Sequence, residues 1–159
     1  MKNFGEPKPK TVEWYTPPEI FEALDCTFDL DPASPGKDIV HWIPAKTHYT
    51  EFGLMKEWVG RIWLNPPYGR ETEQWLLKLK EHGNGIALVF ARTDTGWFHN
   101  IAVYADALCF TNGRIPFIDK NGIAGKMPSC GSLFLAFGSE CAEILLKSNL
   151  GWCIDNRNN

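Results

Sequence analysis

Apolar residues recur along the chain in two rhythms. Ile20, Phe21 and Leu24 follow Thr16-Pro17-Pro18-Glu19 at helical spacing, which predicts a short helix from about Pro17 to Leu24 with Thr16 as its N-cap. Thr27 to Asp31 alternates and stops at Pro32, the pattern of a strand whose C-terminal end carries acids. Residues 34 to 59 are irregular, broken by Pro35-Gly36, Pro44 and Gly53, and read as a long connection packed by Trp42, Tyr49, Phe52 and Trp58. Arg61 to Leu64 is a short apolar strand running into the turn Asn65-Pro66-Pro67-Tyr68-Gly69. A helix from about Glu71 to Glu81, with Gly83 beyond it, precedes the continuous apolar run Gly85 to Ala91, which fits a strand buried on both faces.

In the second half, Asp94 is placed to cap a helix containing Trp97, Phe98, Ile101 and Ala102, and Ala105 to Phe110 reads as a strand. Asn112-Gly113 then turns the chain into Arg114 to Ile118. Asp119 to Gly131 is a polar loop, Ser132 to Phe137 a strand, and Ser139 caps a last helix through Leu146. Strands alternate with helices through most of the chain, so the fold class expected is a three-layer α/β sheet. One domain is expected over residues 12–155, with a flexible arm over 1–11 and a frayed end over 156–159.

Composition narrows the functional classes. The 159 residues are 44% hydrophobic and 22% charged, as in one globular domain, and prolines and glycines follow no period. The formal charge of -3 argues against a broad basic groove for nucleic acid and leaves room only for a local basic rim. No run approaches the ~18 apolar residues of a membrane span, and MKNFGEPKPK has no apolar segment behind it, so a soluble, cytoplasmic protein is expected. Five cysteines form no C-x-x-C pair and four histidines no H-E-x-x-H, so no metal is expected.

The sharpest chemical feature is Asn65-Pro66-Pro67-Tyr68 at the C-terminal end of a strand, where open α/β sheets place their ligands. The amino group of an aromatic base is a poor nucleophile because its lone pair is delocalised into the ring. If the Asn65 side-chain carbonyl and the Pro66 backbone carbonyl both accept hydrogen bonds from that amine, the nitrogen is held pyramidal and its lone pair is released. Pro66 and Pro67 hold the backbone at φ near -65° and aim that carbonyl, while Tyr68 offers a flat face to a planar substrate. With a sulfonium methyl donor the reaction needs neither a metal nor a covalent nucleophile. The plainer alternative is a proline turn that ends a strand.

The motif is that of amino-group methyltransferases, and the wider pattern resembles the small phage and prophage DNA N6-adenine methyltransferase (Dam-like) family. The resemblance rests on Trp14 to Pro18, Phe28 to Ser34, Trp63 to Gly69, Ala91 to Phe98 and Gly113 to Phe117, in order over residues 12 to about 137. It implies a Rossmann-like methyltransferase sheet, mixed and with an antiparallel edge, and S-adenosylmethionine as cofactor. Double-stranded DNA is the implied partner, methylated site-specifically at adenine, in the host cytoplasm if the chain is phage-encoded. Asn65, Pro66, Pro67 and Tyr68 are the implied catalytic residues. Trp14, Thr16, Pro17, Asp29, Asp31 and Pro32 would border the cofactor, since a carboxylate at a strand end can hold a ribose diol or a methionine amino group. Solvation or capping at a strand end is the alternative for both aspartates. The segment Asp31 to Gly36 departs from methyltransferases in having one glycine where they usually carry a glycine-rich loop.

Arg70, Arg92, Asp94, Arg114 and Lys126 are the candidates for contact with DNA, and each arginine is equally readable as a surface ion-pair residue. The loop from Asp119 to Gly131, with Lys120 and Lys126, is the best candidate for gripping the target, and its shortness implies modest sequence specificity. Trp14 and Trp97 are the tryptophans placed near a ligand; the others are read as core. Two rivals stand beside DNA adenine methylation: the same chemistry on RNA or a protein glutamine, and a scaffold that binds cofactor or DNA without catalysis.

Overall fold

The computed structural model describes residues 13–159; the arm expected over residues 1–11, and the start of order expected at Val12, lie outside them. The first helix, α1 (Pro18–Leu24), buries Ile20, Phe21 and Leu24 and ends at Asp25 in the left-handed conformation, φ 47°. Thr16 does not cap it. Pro17 occupies the cap position at φ -71° and ψ 156°, with no side-chain cap bond. Strand β1 (Phe28–Asp31) follows, then β2 (Ala45–His48) inside the stretch read as an irregular connection. β2 escaped the sequence because it is an edge strand with exposed Lys46 and Thr47, and only Ala45 fully buried.

Strand β3 (Ile62–Leu64), helix α2 (Thr72–His82) and strand β4 (Gly85–Phe90) match the expected strand-turn-helix-strand, and Gly83 ends α2 at φ 75°. The helix expected from Asp94 is cut short to α3 (Gly96–Asn100), with Thr95 at its cap position but no side-chain cap bond, and a separate 3₁₀ turn follows at Ala102–Tyr104. Strands β5 (Ala107–Thr111) and β6 (Ser132–Phe137), helix α4 (Ser139–Lys147) and strand β7 (Gly151–Asp155) complete the chain. Gly138, not Ser139, stands at the cap of α4. β7 was not expected. In the segment expected to fray, Asn156 N donates to the Asp106 carbonyl at 2.9 Å, and Arg157 pairs with Asp155 and Glu143 at 2.7 and 2.8 Å.

All seven strands form one sheet in the order β2-β1-β3-β4-β6-β5-β7. β2, β1, β3 and β4 are parallel; β6 is antiparallel between β4 and β5, and β7 is antiparallel to β5. The sheet is mixed, as expected, and consistent with a Rossmann-like methyltransferase fold. Alternation along the strands divides the core. Ile86, Leu88, Phe134 and Ala136 pack under α1 and α4, while Ala87, Val89, Leu133 and Leu135 pack under α2 and the segment at Ile101. A strand covered by helices on both faces has no polar side to show, which is why Gly85 to Phe90 is apolar throughout.

The topology locates the site. From β1 the chain moves outward to β2, whereas from β3 it moves the other way to β4. The winding direction therefore reverses between β1 and β3, and the crevice beyond their C-terminal ends is where an open sheet of this kind takes ligands. Asp31 ends one strand and Asn65 follows the other.

Candidate active site

Asn65 leaves β3 and is held by side chains on both sides. Its Nδ2 donates to Thr16 Oγ1 at 3.4 Å, and its Oδ1 accepts from the Tyr68 hydroxyl at 3.3 Å. Thr16 is buried and gives its carbonyl to Trp42 Nε1 at 2.8 Å, so the hydroxyl expected to cap α1 is turned toward Asn65 instead. The proline turn is pinned from below by the first residue of α2. Thr72 Oγ1 donates to the Pro67 carbonyl at 2.8 Å and accepts from Gly69 N at 3.1 Å. Gly69 sits at φ 129°, a conformation open to glycine and to few other residues. Tyr68 is half-exposed, with its ring stacked on Phe90 at 4.4 Å between centroids and 18° between planes.

At the end of β1, Asp31 is 3% exposed and has one close donor, Ala33 N, at 3.2 Å. Burial pushes its carboxyl up to about 7, against the pull of that one N–H. Its Oδ2 lies 4.0 Å from His48 Nδ1, which shares a 2.7 Å hydrogen bond with Ser34 Oγ. Burial lowers the His48 pKa, keeping the ring neutral, and its Nε2 is buried without a partner.

The two strand ends border a cavity of about 600 Å³. Trp14, Thr16, Asp31, Asn65, Pro66, Pro67 and Tyr68 line it, as do Ser34 and Trp63. The indole Nε1 of Trp63 is buried with no hydrogen-bond partner. A second cavity of 380 Å³ shares Trp14, Asn65 and Tyr68 with the first and is closed by Phe90, Phe117, Lys126 and Pro128. A third, of 430 Å³, lies on the other side of Tyr68 and includes Arg92. Among the described residues, no group of three or more His, Cys, Asp or Glu side chains is placed to hold a metal, and no helix is long and apolar enough to cross a membrane.

Three of the residues assigned to the cofactor do not reach the main cavity. Pro17 stands behind Thr16 at the start of α1. Pro32 lines a separate cleft with Pro67 and Trp75. Asp29 is turned away altogether: its carboxylate accepts from Arg61 N at 2.8 Å and Lys46 Nζ at 3.0 Å, which hold its pKa below the ordinary value. The cause is local. Asp29 N and Leu30 N both donate to the Arg61 carbonyl, at 2.7 and 3.3 Å, the two-against-one count of a β-bulge. Simple alternation would give Asp29 and Asp31 one direction; the bulge separates them.

Of the residues assigned to DNA, Lys126 borders the second cavity and Arg92 the third, its guanidinium 5.9 Å from the Phe90 ring centroid. Arg114 braces the loop instead, donating from Nη1 to the Pro128 carbonyl at 2.6 Å. Arg70 and Asp94 are exposed and line none of the three cavities. Ser34, His48, Trp63, Phe90 and Phe117 were missed. Phe90 had a signal, since it ends a parallel strand as Leu64 does; His48 had none, because its strand was not recognised.

The family model described as DNA N-6-adenine-methyltransferase (Dam) matches residues 5–137, from before the described segment to the end of β6. No curated protein and no solved structure matches the chain. The match takes in both strand ends that form the crevice, the proline turn and the loop that closes the second cavity, and it covers more than half of the sequence. The chain belongs to the DNA N-6-adenine-methyltransferase (Dam) family.

Proposed function

We propose that the protein transfers a methyl group from S-adenosylmethionine to the N6 amine of adenine in duplex DNA, in the cytoplasm of the cell that holds that DNA. The observation that carries the reading is the position of Asn65, on the wall common to the 600 Å³ cavity and the smaller aromatic one. A donor and an acceptor held on the two sides of one amide meet beside it.

The larger cavity suits the cofactor. Its volume falls within the ~300–1,000 Å³ of small-molecule sites, and the buried carboxylate of Asp31 stands on its wall. Asp31 would hold the cationic amino group of the methionine moiety. When bound, the cofactor supplies a methyl group on a cationic sulfur that leaves as a neutral thioether. Asn65 Oδ1 and the Pro66 carbonyl would accept hydrogen bonds from the two N6 N–H groups and so leave the nitrogen lone pair free to act as the nucleophile. Transfer of that methyl group to N6 would leave one surplus proton on the nitrogen, which passes to water. The 3.3 Å bond from Tyr68 to Asn65 Oδ1 is long enough to give way to the incoming amine.

The test is incubation with radiolabelled methyl donor and, in parallel, adenine-unmethylated duplex DNA, total RNA and protein extract, with the labelled product identified by mass spectrometry. N6-methyladenine in DNA supports the reading; label confined to RNA or to protein glutamine overturns it.

A further inference from the structure

We propose that Trp14 is the surface on which the target base stacks, an inference that rests on the adenine reading above. The sequence points to Tyr68 for that role, but the Tyr68 ring already has an aromatic partner in Phe90 at 4.4 Å, whereas among the described residues Trp14 stacks on no other ring. The second cavity has an indole on its wall in Trp14, beside the amide of Asn65 and the ammonium of Lys126. Aromatic walls, one amide and one cation suit a planar heteroaromatic ring with an exocyclic amine and a phosphate close by.

The indole is held in place although 45% of the residue is exposed. Tyr15 N donates to the Ile118 carbonyl at 2.7 Å and Ile118 N to the Tyr15 carbonyl at 3.0 Å, tying the segment after Trp14 to the chain before the loop. Gly125 N returns the loop to Phe117 O at 3.1 Å. Gly125 then lies against the indole so closely that a Cβ there would sit 2.5 Å from Trp14 Cη2. A large exposed aromatic ring, fixed by a glycine and facing a cavity, loses little entropy when a base lies on it.

Trp14 borders both cavities, so donor and acceptor roles must be separated by measurement. The full chain and its Trp14→Ala and Trp14→Phe variants are compared for cofactor Kd by calorimetry, for KM and kcat with unmethylated duplex DNA, and for Tm. Loss of one base-stacking surface is expected to weaken kcat/KM for DNA by about 10- to 100-fold. Cofactor Kd stays within about twofold, and Trp14→Phe recovers most of the loss because it restores an aromatic face. Gly125→Val, which displaces the indole without removing it, gives the same split between DNA and cofactor. Unchanged DNA kinetics in Trp14→Ala, or weakened cofactor binding with DNA kinetics intact, overturns the assignment while leaving the enzyme reading untouched. A wild-type chain that does not methylate DNA overturns both.

Discussion

Tyr68 donates its hydroxyl to the side-chain carbonyl of Asn65 at 3.3 Å, so the acceptor on which the proposed chemistry depends is occupied in the free protein. Removing the two partners has unequal consequences. Asn65→Ala is expected to lower methyl transfer by about 100-fold or more while cofactor Kd changes less than twofold, the size of effect seen when one preorganised polar group is lost from a reacting centre. Tyr68→Phe keeps the ring on Phe90 and frees Asn65 Oδ1, so turnover stays within a few-fold of wild type. Single-turnover rates and calorimetry on both variants check the pair; an Asn65→Ala protein with substantial turnover removes Asn65 from the chemistry.

Asp31 makes stability depend on pH in a definite direction. Its carboxyl titrates near 3.8 in the unfolded chain and at about 7 in the folded one. Between those values the folded state keeps a proton that the unfolded state has released. Stability therefore falls as pH rises through that window, and the penalty is complete above about pH 7. Asp31→Asn should gain on wild type across the same range, by on the order of 2 to 4 kcal/mol at pH 8. His48, whose pKa is lowered by burial, adds an acid-side loss of its own, and because its Nδ1 lies 4.0 Å from Asp31 Oδ2 the comparison is read at pH 7 to 8, above the range where that ring protonates. Thermal unfolding from pH 4.5 to 8 reads the effect. Cofactor affinity should move oppositely, wild type weakening below pH 7 and Asp31→Asn weak throughout.

Thr72 connects the helix to the reacting turn. Its buried hydroxyl bonds both the Pro67 carbonyl and Gly69 N, so Thr72→Ala leaves two backbone groups without their partner. A loss of about 1–3 kcal/mol is expected. Turnover should fall further than stability accounts for, because Pro66 and Tyr68 are aimed by that turn. Thr72→Ser keeps the hydroxyl and should restore both. Urea unfolding together with kcat at a temperature where each variant is fully folded distinguishes the two losses.

With a formal charge of -3, the chain has few cations to spare for a polyanion. Lys126 and Arg92 border the cavities around Tyr68, so alanine at either should flatten the slope of log affinity against log salt by about one unit and slow all sequences alike. Arg114→Ala should change the slope less, since one guanidinium N–H is committed to the Pro128 carbonyl. Fluorescence anisotropy of a labelled duplex across a salt series gives the slopes. Identical slopes for wild type and the Lys126/Arg92 double variant would take this face off the DNA.

The parts of the molecule written in short-range pattern were legible in the sequence. Gly85 to Phe90 and Ser132 to Phe137 announce themselves as strands because both their faces are buried, and Asn65 was found because a strand end and a rigid turn coincide there. What escaped depends on distant partners. Ala45–His48 and Gly151–Asp155 are edge strands with polar or exposed residues, whose pairing is decided by Phe28 and Ala107 rather than by their own alternation. The bulge opposite Arg61 reversed Asp29, and no local signal marks it. The second cavity joins Trp14 to Phe117 and Lys126 across a hundred positions, a proximity that only the return of the 119–131 loop creates.

The late strand β6 also dictates how the chain is assembled during synthesis. Its neighbours β4 and β5 are complete by Thr111, yet they do not touch each other in the sheet, and the strand that joins them ends at Phe137. A growing polypeptide that has emerged only as far as residue 131 carries an open apolar edge along Gly85 to Phe90 and a detached β5 beside it. Such an edge invites pairing with other nascent chains until β6 arrives.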